Sequence, residues 1–135
     1  MLKQLEDQDC QDWHAFTARR LVATEFRVAE SDLIKPSRAT ADIAFARQVA
    51  MYLAHVIYSL SYGEVATAFQ RERSTVAHAC AVVEDARDDP EFEARVSKLE
   101  DRLQQLDDIR RLGQVKRRGR LAELLSEEVD NSPSV

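Results

Sequence analysis

The stretch Ser61–Glu84, SYGEVATAFQRERSTVAHACAVVE, decides the fold. It holds two short helical patterns separated by a polar corner, Gln70-Arg71-Glu72-Arg73. Ser61 and Glu64 stand at capping-box spacing. The Ser61 hydroxyl accepts from the Glu64 N–H, and the Glu64 carboxylate accepts from the Ser61 N–H. Val65, Ala66, Ala68 and Phe69 give the first helix an apolar side. The second pattern starts near Ser74 and places Val76, Ala79, Cys80 and Val83 at i, i+3, i+4 and i+7, one face of a helix. Its first turn carries Arg73, Ser74, Thr75 and His78, all with hydrogen-bonding side chains. A packed second helix with a polar leading turn is what a DNA-reading helix-turn-helix requires. The residues of that turn meet base edges and phosphates.

The rest of the chain fits a small helical protein. Its 135 residues suit one domain with length left for tails. Apolar content of 44% is enough for a core, and only 3 Gly and 3 Pro predict an all-α fold. No run approaches the ~20 apolar residues of a membrane span. The acidic start, MLKQLEDQDCQDW, lacks the order of a signal peptide. Cys10 and Cys80 read as reduced thiols. These features predict a cytoplasmic, nucleoid-associated protein with no membrane partner. The net charge of −5 argues against nucleic acid when taken alone. It is segregated, however: residues 34–82 carry a balance of +2 and residues 83–108 a balance of −6. DNA responds to the local field on the docking face.

Upstream of the opening stretch, residues 1–9 are expected to be flexible, and a domain is expected over residues 10–112. A first helix is expected from about Cys10 to Arg27. Val28–Ser37 is a connection in which Pro36 disfavours helix at Lys35, and Leu33 and Ile34 form a turn pinned to the core. A second helix, about Ala41 to Tyr58, is apolar on most sides and so is central. Arg47 and Gln48 are polar exceptions near its start, either a solvated edge or contacts to a phosphate and a base. Downstream, Asp89-Pro90 marks a fresh helix start. Phe92, Val96, Leu99, Leu103 and Leu106 then recur at 4-3-4-3 spacing. That seam serves either the domain's own core or a homodimer. Residues 113–135 read as a basic then acidic tail. Lys116–Arg120, KRRGR, is a solvated linker or an arm on phosphates. Leu121–Leu125 forms at most a brief turn, and the last residues look disordered.

The residues around the corner resemble the C-terminal DNA-binding domain of the bacterial replication initiator DnaA. In that family a helix ending in Phe leads into Arg-Asp-His-Ser/Thr-Thr-Val and then x-His-Ala. Here the run is Ala68-Phe69-Gln70-Arg71-Glu72-Arg73-Ser74-Thr75-Val76-Ala77-His78-Ala79. The similarity extends to Val22-Ala23 with Phe26 and Val28, to Asp32-Leu33-Ile34, and to Ala46–Ala54, and it continues into the Phe92–Leu103 helix. The resemblance implies a compact helical domain of Trp-repressor-like type with a longer C-terminal helix and tail. It implies that Arg71, Arg73, Ser74, Thr75 and His78 face bases or phosphates. Arg47 and Gln48 would support the backbone contact, and Arg38 would lie in a loop reaching toward the minor groove. His55 occupies a position where the family can place a phosphate-contacting cation. The corner departs from the family pattern. It is one residue shorter, Gln70 replaces a Gly pair, and Glu72 and Arg73 stand where Asp and His are usual.

Other chemistry finds little support. The three histidines fall in three separate expected helices, and neither Cys belongs to a CxxC pair. No catalytic residue, metal site or cofactor is therefore expected. There is no GxxxxGK[ST] phosphate loop, so no nucleotide partner is expected. The reading is sequence-specific binding of double-stranded DNA, by a regulator of transcription or of replication initiation without ATPase activity. The alternative is a protein-interaction module in which the acidic 84–108 helix binds a partner.

Overall fold

A computed structural model describes residues 2–35 and 40–130, with side chains described over 8–35 and 40–125. Arg38 lies outside the described residues. In order, the elements are α1 (Leu2–Phe26), a single 3-10 turn (Glu30–Leu33), α2 (Ala41–Tyr58), α3 (Tyr62–Phe69), α4 (Arg73–Ala86) and α5 (Pro90–Asp130). No strand occurs among the described residues, and no helix there is long and apolar enough to cross a membrane. The chain forms two compact units, residues 1–103 and 104–135.

In the first unit α2 is the central element. Ala46, Val49, Ala50, Met51, Tyr52, Leu53 and Ala54 are all buried, against α1 on one side and α4 on another. Each large aliphatic side chain removed from water there stabilises by roughly 1.5–3 kcal/mol. Thr40 caps α2 by accepting from the Ile43 N–H at 3.3 Å. Leu33 is fully buried, so the 3-10 turn is the pinned connection that the sequence predicts. Phe92, Val96, Leu99 and Leu103 are also buried in this core. The 4-3-4-3 seam is therefore interior, and of its five members only Leu106 is exposed.

Three helices end on a non-glycine residue in the left-handed region: Arg27 (φ 56°), Ser59 (φ 57°) and Gln70 (φ 54°). The three glycines stand elsewhere, at 63, 113 and 119. The chain thus stops α1, α2 and α3 without the residue that usually relieves this conformation.

At the junction of α4 and α5, Arg87 donates to Tyr52 Oη (3.0 Å), to Glu93 Oε1 (2.7 Å) and to Glu100 Oε1 (2.8 Å). Asp89 caps α5 by accepting from the Phe92 N–H. The hydrogen bonds from Arg87 hold the Glu93 carboxyl down at about 2, and donating to Glu93 and Glu100 raises the Arg87 guanidinium above its ordinary value.

Two boundaries differ from the sequence expectation. Helix α1 begins at Leu2 rather than near Cys10, because LKQLEDQD is itself composed largely of helix-favouring residues. Helix α5 continues through Gly113 and Gly119 to Asp130 rather than yielding a short turn at 121–125. The Arg, Lys, Gln, Leu and Glu around those glycines have strong helix propensity, which offsets a glycine cost of about 1 kcal/mol each.

Candidate nucleic-acid interface

The capping box at the head of α3 is formed. Ser61 Oγ accepts from the Glu64 N–H at 3.1 Å, and Glu64 Oε1 accepts from the Ser61 N–H at 2.8 Å. The Gln11 side-chain amide donates to the other Glu64 oxygen, tying α3 to α1. At its far end α3 stops where Gln70 turns left-handed and the Arg71 N–H bonds back to Ala66 O at 2.9 Å. Gln70 thus takes the conformation that a glycine would supply more cheaply. Gln70→Gly is expected to raise stability by about 0.5–1 kcal/mol, read as a higher urea midpoint at unchanged slope.

Helix α4 begins at Arg73, one residue before the expected start, with Glu72 as its extended N-cap. No side chain caps it. Ser74 and Thr75 are therefore not consumed as caps, which is the ordinary alternative role for such residues. Val76, Ala79, Cys80 and Val83 are buried as the spacing predicts. Burial, with Glu84 nearby, pushes the Cys80 thiol up to about 11, which leaves it an inert packing group. Opposite this buried side, Arg73, Ser74, Thr75 and His78 are all exposed. Ser74 and His78 are four apart and Thr75 and His78 three apart, so the three share a face. The Arg73 stem runs beside the first turn of α3: a Cβ added to Gly63 would stand 3.9 Å from Arg73 Cδ and Nε.

Arg47 and Arg71 are placed differently. Arg71 is half-buried and spends its guanidinium on backbone carbonyls. Nη2 donates to Lys35 O at 2.6 Å, and Nη1 to Gln70 O at 3.1 Å and Phe69 O at 3.4 Å. Arg47 donates from Nε to Leu33 O at 2.8 Å and from Nη2 to Asp32 O at 2.9 Å. Burial and the charge of Arg71 lower the Arg47 pKa, with Asp32 opposing. Two cations, one from α2 and one from the corner between α3 and α4, therefore grip residues 32–35, where the connection leaves the 3-10 turn. Gln48 is half-buried on α2. The structure brings Arg73, Ser74, Thr75 and His78 together on open surface, and holds Arg47 and Arg71 as staples beside them.

His55 closes the turn between α2 and α3. Its Nδ1 donates to Leu60 O at 2.7 Å, and its ring lies 4.5 Å from Tyr62. Two residues of this region escape the sequence reading. Ala81 is exposed one turn beyond His78, and the three-residue step from His78 marks it. Arg19 carries no such mark. It donates to Glu30 Oε1 at 2.8 Å and to Ala68 O at 3.3 Å, and it stacks over the Phe69 ring at 5.3 Å. Among the described residues no group of three acids, histidines or cysteines is placed to hold a metal ion.

Comparison with known proteins bears on this geometry. Residues 18–83 match the family model described as bacterial dnaA protein helix-turn-helix. The chromosomal replication initiator protein DnaA of Desulfotalea psychrophila is 36% identical over 89 residues, which are 65% of this chain and 18% of that protein. The DnaA of Deinococcus radiodurans is 40% identical over 74 residues, 54% of this chain and 16% of its own. The chain thus spans less than a fifth of the length of these relatives. Among solved structures, a DNA replication initiation factor superposes with a TM-score of 0.67 at 28% identity, covering 77% of this chain and 32% of the other. The replication initiator DnaA bound to AMPPCP and single-stranded DNA gives 0.67 at 26% identity, over 78% and 32%. The matched segment contains α3, α4 as far as Val83, the two arginine staples and the exposed leading residues of α4, and it makes residues 18–83 a member of the bacterial DnaA helix-turn-helix family.

Proposed function

We propose that the chain binds double-stranded DNA sequence-specifically, with α4 in the major groove, and that it acts on replication initiation or transcription without hydrolysing ATP. One observation carries the reading. The leading turn of α4 exposes Arg73, Ser74, Thr75 and His78 together, while its opposite face is buried in the core. An arginine there suits the two acceptors of a guanine edge, and a threonine suits a thymine methyl or a phosphate. The uncapped N–H groups at the start of α4 suit phosphate oxygens. Arg47 and Arg71 serve by fixing the connection that precedes α2, next to the corner. The exposed Glu72 disfavours any approach of phosphate at the corner itself, so it restricts how the helix enters the groove.

Selection of bound sequences from a random duplex pool tests this. The wild type is expected to enrich one motif. Arg73→Ala is expected to weaken binding by roughly 1–3 kcal/mol and to relax preference at one base pair. Enrichment of no motif, or an unaltered motif and affinity in Arg73→Ala, rejects the reading. Binding to a protein partner with no duplex complex even at low salt would favour the interaction-module alternative.

A further inference from the structure

Residues 109–122 contain six cations and no acid: Arg110, Arg111, Lys116, Arg117, Arg118 and Arg120. All lie on the second unit's part of α5. Arg111 is paired with Asp107 at 3.0 Å. The Lys116, Arg117, Arg118 and Arg120 side chains are exposed, and none has an ion-pair partner among the described residues. At about 100° per residue, Lys116, Arg117 and Arg120 fall within an arc of about 100°. Arg118 stands beside them, about 100° from Arg117.

We propose that this segment is a second DNA-binding surface, which grips duplex phosphates without reading sequence. This rests on the DNA-binding reading of α4. The segment from Arg110 to Arg120 is about 15 Å long, over which a duplex presents about four phosphates on each strand. The four exposed cations from Lys116 to Arg120 release condensed counterions when they meet those phosphates. Two other occupants fit the segment less well. Leu106, Ile109, Leu112 and Val115 are exposed at three-residue steps, so each lies about 60° behind the last around the helix. Leu124 returns to the side of Leu106, while Leu121 and Leu125 lie about 60° and 100° from it in the other sense, so the apolar side chains spread over most of the circumference. Apolar residues scattered in this way give neither a coiled-coil seam for a second copy nor one apolar face to lie in a membrane surface. The block of like charge also opposes parallel pairing with itself.

The test uses the full chain with Lys116, Arg117, Arg118 and Arg120 all replaced by glutamine, which keeps helix propensity. Duplex affinity is measured from low to moderate salt for the wild type and this variant. The plot of log affinity against log salt is expected to become shallower by about 2–4, at about 0.9 per phosphate neutralised. The selected sequence motif is expected to be unchanged. An unchanged salt slope overturns the proposal, and the reading of α4 survives if the motif is still selected. A shallower slope in a protein that selects no motif supports the arm and removes the reading of α4. No wild-type complex at low salt removes both. Loss of binding to phosphatidylglycerol vesicles, or of self-association in sedimentation, with an unchanged DNA slope assigns the cations elsewhere and overturns the proposal.

Discussion

Phe69→Ala is expected to lower stability by about 3–5 kcal/mol and to abolish DNA binding at 37 °C. The side chain is fully buried at the last position of α3. It is the last apolar anchor before the chain reverses through Gln70. Arg19 stacks on its ring and bonds to the adjacent carbonyl of Ala68, so the same residue fixes α1 against the end of α3. Its own carbonyl accepts from Arg71. Removing the ring therefore leaves a cavity and also takes from Arg19 the surface on which it stacks. The size of the loss exceeds a typical surface effect by several-fold. Urea unfolding followed by circular dichroism measures it. Arg73→Ala is the necessary contrast: that side chain is exposed, so it should lose affinity while its unfolding midpoint stays within ~0.5 kcal/mol of the wild type. A Phe69→Ala protein as stable as the wild type would show that the corner does not depend on this packing.

Much of this arrangement is legible in the sequence, for definable reasons. The capping box and the i, i+3, i+4, i+7 spacing of Val76, Ala79, Cys80 and Val83 are local, and the structure forms both. Local patterns report local geometry. The pinned turn at Leu33 and the N-cap at Asp89 follow the same logic. The roles of Arg47 and Arg71 are a different matter. Nothing in their neighbours along the chain says that their donors meet the carbonyls of residues 32, 33 and 35, because those contacts span 14 to 36 residues. The sequence shows a cation, and only tertiary packing shows what it bonds. The 4-3-4-3 seam was ambiguous for a related reason. A heptad pattern is equally consistent with a partner helix and with the domain's own core, and burial of Val96, Leu99 and Leu103 resolves it toward the core. The extent of α5 past Gly113 is not legible in the apolar spacing, which loses its regularity after Leu106, and it rests on helix propensity against which single glycines are modest local costs.

Arg87→Met is expected to destabilise the first unit by about 2 kcal/mol at neutral pH, and the deficit is expected to shrink in acid. Arg87 joins the end of α4 to Tyr52 on α2 and to Glu93 and Glu100 on α5. Its guanidinium also lies 5.9 Å from the Tyr52 ring centre. Methionine keeps the apolar stem and removes every donor. Glu100 is then left four-fifths covered without its cation, the costly half of a broken pair. The pH dependence follows from the direction of the Glu93 shift. Its carboxyl sits at about 2 in the folded protein against an ordinary value of 4.5. A depressed carboxylate stabilises fully above its unfolded pKa, and that stabilisation fades as pH falls through the folded value. Wild type and variant should therefore differ by a constant amount from neutral pH down to about 5, and should converge between 4.5 and 2. Ser97 also donates to Glu93 Oε1 at 3.0 Å, so part of the depression survives in the variant and the convergence is incomplete. Melting temperatures of both proteins across this range measure the effect. A difference that stays flat into acid would mean that Arg87 contributes through its stem and Tyr52, and that its carboxylate partners are incidental to stability.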